Sequence, residues 1–178
     1  PFLQREIDRG ATTCFQMEGA TTTLIKPASG KDDRSGLSDA ETKRFTFDYS
    51  YNSFLPKDDP NYASQETVWD DLGTSVLDSA WEGYNVSLFA YGQTGSGKSF
   101  SMMGYGEEKG IIPRAVTRIF ERITANEDAD LSYRVECSML EIYNERIRDL
   151  FDAAQRGGAG AARGPAGGPA PLKIRDHP

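Results

Sequence analysis

Gly92-Gln93-Thr94-Gly95-Ser96-Gly97-Lys98-Ser99 brings glycines, a cation and three hydroxyl groups into one short run. Its spacing is that of a phosphate-binding loop, G-x-x-x-x-G-K-[ST], at every fixed position. Gly92, Gly95 and Gly97 let the backbone turn tightly, so that successive N–H groups close around an anionic phosphate chain. Gln93, Thr94 and Ser96 fill the loop between them. Lys98 sets a positive charge against the outer phosphates, and the Ser99 hydroxyl is placed to ligate a magnesium ion. The residues that follow would open a helix whose N-terminal dipole faces the same phosphates. The chemistry this predicts is binding of a nucleoside triphosphate with Mg2+.

Such a loop needs a strand before it and a helix after it. Val86-Ser87-Leu88-Phe89-Ala90-Tyr91 is short, apolar and rich in β-formers, and predicts a buried strand. Phe100-Ser101-Met102-Met103 can continue as helix. Upstream, Ser64 caps a helix with Glu66 at its positive end, Val68, Leu72, Val76 and Ala80 as its buried stripe, and Gly83 just past its end. Asp70, Asp71 and Asp78 are expected on its wet face. Downstream, residues 110–114 start a second helix, with Pro113 in a tolerated first-turn position and a stripe of Val116, Ile119, Phe120 and Ile123. Residues 12–17 and 21–25 are short β-prone pieces. Residues 43–49 alternate polar and aromatic, which sets Phe45, Phe47 and Tyr49 on one face as core. Residues 131–139 alternate strictly and predict a half-buried strand, with a bend or bulge near Met139 where the phase changes. Residues 27–39 read as loop. Residues 153–171 are built almost wholly of Ala, Gly and Pro, which predicts a mobile insertion acting as a spacer.

The 178 residues suffice for one domain with a core, and 38% apolar and 26% charged content is ordinary for a globular chain. No apolar run approaches about 18 residues, so no transmembrane segment is expected. The start at Pro1, without methionine or signal pattern, reads as a fragment or a processed chain. Cys14 and Cys137 lie far apart without metal-ligand spacing, and the lone His177 has no partner nearby, so two reduced thiols and no protein-only metal site are expected. A formal charge of −7 argues against a nucleic-acid binder.

The octet together with Ala90-Tyr91 before it and Met102-Met103-Gly104 after it resembles the P-loop region of kinesin motor domains. Further matches keep the same order: Phe47-Asp48-Tyr49, Gly110-Ile111-Ile112-Pro113-Arg114, and residues 141–150, which are similar to the E-I-Y-N-E-x-[IV]-x-D-L block. Residues 61–65, Met102-Met103-Gly104 and Leu172-Lys173-Ile174-Arg175-Asp176-His177-Pro178 resemble the kinesin-3 class. The last of these precedes, in that class, a loop that touches tubulin. The resemblance implies an α/β P-loop NTPase fold, a central, mostly β-sheet with helices on both faces and the nucleotide at the C-terminal end of a strand. Residues 1–178 would be the N-terminal half of the motor domain. It implies that Pro1, the end of the R-x-R-P segment, and Phe100 hold the adenine ring of ATP between them; Phe100 packing under the helix is the alternative. It implies a microtubule as partner, a cytoplasmic, microtubule-associated location, and plus-end-directed transport of vesicles or organelles. Cargo and dimerisation are not legible. The switch I (N-x-x-S-S-R) and switch II (D-x-A-G-x-E) motifs do not occur in these residues. The stretch alone is therefore expected to bind nucleotide without efficient turnover, and to be poorly stable with its sheet edges exposed. The acidic charge sits awkwardly with an acidic microtubule, and places the basic tubulin-facing surface in the remaining half. Two other readings stand beside the motor: a non-motile kinesin-like protein that binds nucleotide or tubulin, and an unrelated P-loop GTPase or small-molecule kinase.

Overall fold

The computed structural model describes residues 2–25 and 42–151. Two units divide the chain, Pro1–Asn126 and Glu127–Pro178.

The first unit begins with a one-turn helix, α1 (Gln4–Ile7), and a three-stranded antiparallel sheet. Its strands β1 (Phe15–Glu18), β2 (Thr21–Ile25) and β3 (Thr42–Thr46) run in sequence order, with Phe15 opposite Leu24 and Thr22 opposite Phe45. Threonine and β-branched residues suit these half-exposed surfaces. The aromatic row behind β3 is not core: Phe45, Phe47 and Tyr49 are all exposed, because no described element covers their face. Instead the rings pack on one another, Phe45 on Phe47 at 6.5 Å and Tyr49 on Tyr51 at 5.8 Å between centroids.

The predicted helix over residues 64–81 forms in three pieces: α2 (Gln65–Val68), a π-helical turn (Trp69–Gly73) and α3 (Thr74–Trp81). Ser64 caps it as expected, its hydroxyl accepting from the Thr67 amide at 3.1 Å while Thr67 Oγ1 accepts from the Ser64 amide at 3.2 Å. Gly83 adopts φ +94° just past the end. The buried line differs from the expected stripe by one residue. It is Gln65, Trp69, Gly73 and Leu77, while Val68, Leu72 and Val76 are half-buried and Ala80 is exposed. A strict four-residue spacing drifts around an α-helix of 3.6 residues per turn; the wider π turn holds the row on one side. Asp70 and Asp78 face solvent, Asp78 pairing with Arg122, but Asp71 is half-buried.

After the glycine loop come α4 (Lys98–Met102), a hairpin of β4 (Gly104–Tyr105) and β5 (Glu108–Lys109), and α5 (Ile111–Thr124). The hairpin thus stands between the two helical runs. Trp69, Leu77 and Ile111 form the buried core, with Val68, Leu88, Ala115 and Ile119 packed against it. One cluster therefore holds the segment before the loop, through Leu88, and the helix after it, through Ile111. Along α5 only one edge of the stripe is covered: Ile119 and Ile123 are half-buried, whereas Val116 and Phe120 are exposed.

Two predicted strands take another form. Residues 86–91 and 131–139 form no strand among the described residues, although the Met139 carbonyl accepts from the Leu150 amide at 2.7 Å. Phe89 is 86% and Tyr91 98% exposed, and Leu131, Tyr133 and Val135 are exposed as well.

In the second unit, a hairpin of β6 (Leu140–Tyr143) and β7 (Arg146–Asp149) takes up most of residues 141–150. Asn144 and Glu145 both have positive φ, the two-residue turn that matches strand twist. Glu141 stands opposite Arg148 and Ile142 opposite Ile147. The strand starts at Leu140, one residue past the predicted phase change. The insertion over residues 153–171, the loop over 27–39, Pro1 and His177 lie outside the described residues.

Candidate nucleotide site

The loop over residues 92–99 curls as its composition requires. Gly95 and Gly97 have φ of +82° and +95°, a region that side chains with a Cβ rarely enter. Gly97 is also the N-cap of α4, and no side chain bonds to the helix's first amides. A Cβ on Gly92 would stand 2.6 Å from Ser96 Oγ, so only a glycine leaves the loop its tight curl. Inside it the Ser96 amide donates to the Gln93 carbonyl at 3.2 Å.

Lys98 folds back over this curl. Its ammonium donates to the carbonyls of Gly92 and Gln93, both at 2.8 Å. An ammonium has three donors, so two hold the loop in shape and a third remains. Ser99 lies exposed beside it in the first turn of α4. A curl of glycine backbone, a cation at its centre and a hydroxyl at its edge fit a triphosphate with Mg2+, a hard cation that takes oxygen ligands from a hydroxyl and from phosphates. Among the described residues no cluster of three or more His, Cys, Asp or Glu could hold a metal, so the cation would come with the phosphates.

Phe100 is half-buried and its ring lies 6.1 Å from that of Tyr105 on β4, tilted by 35°. Its expected partner Pro1 is outside the described residues. The segment behind Pro1 does reach the loop: a Cβ on Gly95 would stand 3.5 Å from Arg5 Nη2 and 3.8 Å from Leu3 Cδ1. Arg5 is thus a second cation beside the loop. Nothing in its spacing to the octet signals this; the approach is made by the fold.

Around the site, Lys57 pairs with Glu108 and so ties the turn over residues 56–60 to the β4–β5 hairpin. The hydrogen bond that Lys57 donates to Glu108, and then the charge of that carboxylate, raise the Lys57 pKa. Burial, and next the charge of Asp71, push the Tyr51 hydroxyl well above the usual phenol range. That hydroxyl is buried and makes no hydrogen bond of good geometry among the described residues.

A glycine curl over a lysine and a helix running from it are the arrangement of the P-loop NTPase fold. The particular family follows from comparison with known proteins. The family description "Kinesin motor domain" matches residues 1–175. Human kinesin-like protein KIF1C is 45% identical over 180 residues, covering 100% of this chain and 14% of that protein. Drosophila melanogaster kinesin-like protein Klp98A is 45% identical over 177 residues, 99% of this chain and 13% of that protein. A solved structure of a KIF14 dimer with AMP-PNP in complex with a microtubule matches with a TM-score of 0.78 at 39% identity, over 100% of this chain and 43% of that one. A second, KIF14 with ADP in complex with a microtubule, has a TM-score of 0.75. The chain belongs to the kinesin motor-domain family, and its relatives of the KIF1 type place it with the kinesin-3 class. It spans less than half of those solved chains and about a seventh or less of these two relatives.

Proposed function

We propose that this chain is the ATP-binding part of a microtubule-stimulated kinesin motor ATPase. The observation that carries the reading is Lys98, held by two loop carbonyls at the centre of the curl over residues 92–99. Kinship with the kinesin motor family supports a microtubule as the track, and solved KIF14 relatives carry ADP or AMP-PNP on one.

In this reading Lys98 shifts its free donor to the outer phosphates, and the backbone of residues 92–97 wraps the inner ones. Ser99 holds Mg2+, which when bound neutralises phosphate charge. Phe100 stacks on the adenine, worth about 1 kcal/mol beyond area burial, with Pro1 on the other face. The 178 residues bind nucleotide but turn it over poorly, because they contain no switch I or switch II motif to position water. In the intact protein the cycle drives plus-end-directed movement of a vesicle or organelle along cytoplasmic microtubules.

The test is a gliding assay. The intact protein, fixed to glass, should move polarity-marked microtubules with their minus ends leading, and only with ATP. Microtubules that bind but never move would shift the reading to a non-motile nucleotide- and tubulin-binding relative. A preference for GTP over ATP would remove the kinesin cycle altogether.

A further inference from the structure

We propose that Gln65 is a positioning residue of the nucleotide site, fixing the backbone of Phe100 so that its ring meets the base. The inference rests on the ATP-site reading above and deepens it. Among the described residues Gln65 is the buried polar side chain, 5% exposed. A primary amide is costly to bury unless its hydrogen bonds are made. Its Nε2 donates to the Phe100 carbonyl at 2.6 Å, across 35 positions of sequence.

That carbonyl needs a partner from elsewhere. In an uninterrupted helix it would accept from the amide of Gly104. But α4 ends at Met102, and Gly104 turns into the hairpin with φ of +73°. The hairpin thus removes the helical donor for Phe100, and Gln65 replaces it. The replacement is rigid. Gln65 is the first residue of α2, pinned by the reciprocal Ser64–Thr67 cap, and one turn on Trp69 is 4% exposed in the core. A first group placed by a second that is itself locked is how a site keeps its geometry. Lys98 and Ser99 have their own anchors, the loop carbonyls and the Met103 amide that donates to the Ser99 carbonyl at 2.8 Å. Loss of the Gln65 bond therefore reaches the base contact and spares the phosphate contacts.

Gln65→Met keeps length and volume and removes the donor. In the intact protein it should weaken ATP binding roughly fivefold, the effect of about one hydrogen bond, while binding of inorganic tripolyphosphate stays within about twofold. Parallel weakening of both ligands, or of neither, overturns the proposal. Gln65→Glu guards against a variant that misfolds. A buried carboxyl beside a carbonyl ionises only at raised pH, and its protonated form can donate where Nε2 did. ATP affinity relative to wild type at the same pH should recover at about pH 6 and fall at about pH 8. A pH-independent ratio of wild type to Gln65→Glu overturns the proposal. If the wild-type protein binds neither ATP nor tripolyphosphate, the phosphate site itself is wrong and the role of Gln65 falls with it.

Discussion

Gly73→Ala sets two effects against each other at one atom. Gly73 lies at the junction of the π turn and α3 with φ −64° and ψ −39°, ordinary helical values that alanine adopts without strain. Propensity alone therefore predicts stabilisation of about 1 kcal/mol. The new Cβ, however, would stand 2.6 Å from Trp69 Cζ3 and 2.8 Å from Cδ2, where ordinary contact begins at 3.4 Å. The closest clash is with Trp69 Cε3, so the indole would have to retreat by more than an ångström within the core that buries it. Overpacking of this kind costs about 1–3 kcal/mol, and complete loss of a buried Trp about 3–5. The clash outweighs the gain, with a net loss of up to about 2 kcal/mol after the propensity term. Because Leu88 and Ile111 pack in the same cluster, on either side of the phosphate loop, ATP affinity should fall with stability. The assay is urea unfolding of the intact protein, with Gly73→Ala made both alone and together with Trp69→Leu. In the double variant the penalty of Gly73→Ala should vanish and its propensity gain return. A Gly73→Ala protein more stable than wild type would refute the packing argument.

Other outcomes follow from single groups. Lys98→Ala should weaken ATP binding roughly tenfold or more, the effect of losing charge-assisted hydrogen bonds, as read by a fluorescent ATP analogue. Tyr51→Phe removes a buried hydroxyl that makes no hydrogen bond of good geometry among the described residues, so urea unfolding should show unchanged or raised stability, by up to about 1 kcal/mol. In the ultraviolet titration of tyrosinate, the difference between wild type and Tyr51→Phe should be a phenol that ionises only above the usual range. The Lys57 pKa is raised in the folded protein, so the Lys57–Glu108 tie is fully present below the ordinary lysine value of 10.5 and is lost as pH rises through the raised one. Amide exchange in the hairpin, corrected for its intrinsic pH dependence, should therefore accelerate only above that value, and Lys57→Met should remove the step.

The phosphate loop was legible because its chemistry is local. Eight consecutive residues carry the curl, the cation and the hydroxyl, and the structure needs no distant partner to form it. The Ser64 cap and the helix end before Gly83 were legible for the same reason. What escaped depends on long-range neighbours. The alternation in residues 131–139 marks a strand's two faces but says nothing of which strand lies beside it. Phe45, Phe47 and Tyr49 carry a core pattern, yet burial depends on what covers them. The one-residue shift from Leu72 to Gly73 on the buried side came from a π turn, which no hydrophobic count reveals, and from a glycine that faces inward to make room for Trp69. Gln65 and Arg5 sit at the site through the fold alone, with no spacing to the octet that could have signalled them.

The most direct test of the central claim is steady-state ATP hydrolysis by the intact protein, with and without microtubules and with Lys98→Ala as control. The account predicts slow basal turnover, strong stimulation by microtubules and loss of both in Lys98→Ala. Hydrolysis that ignores microtubules, or survives Lys98→Ala, would contradict it.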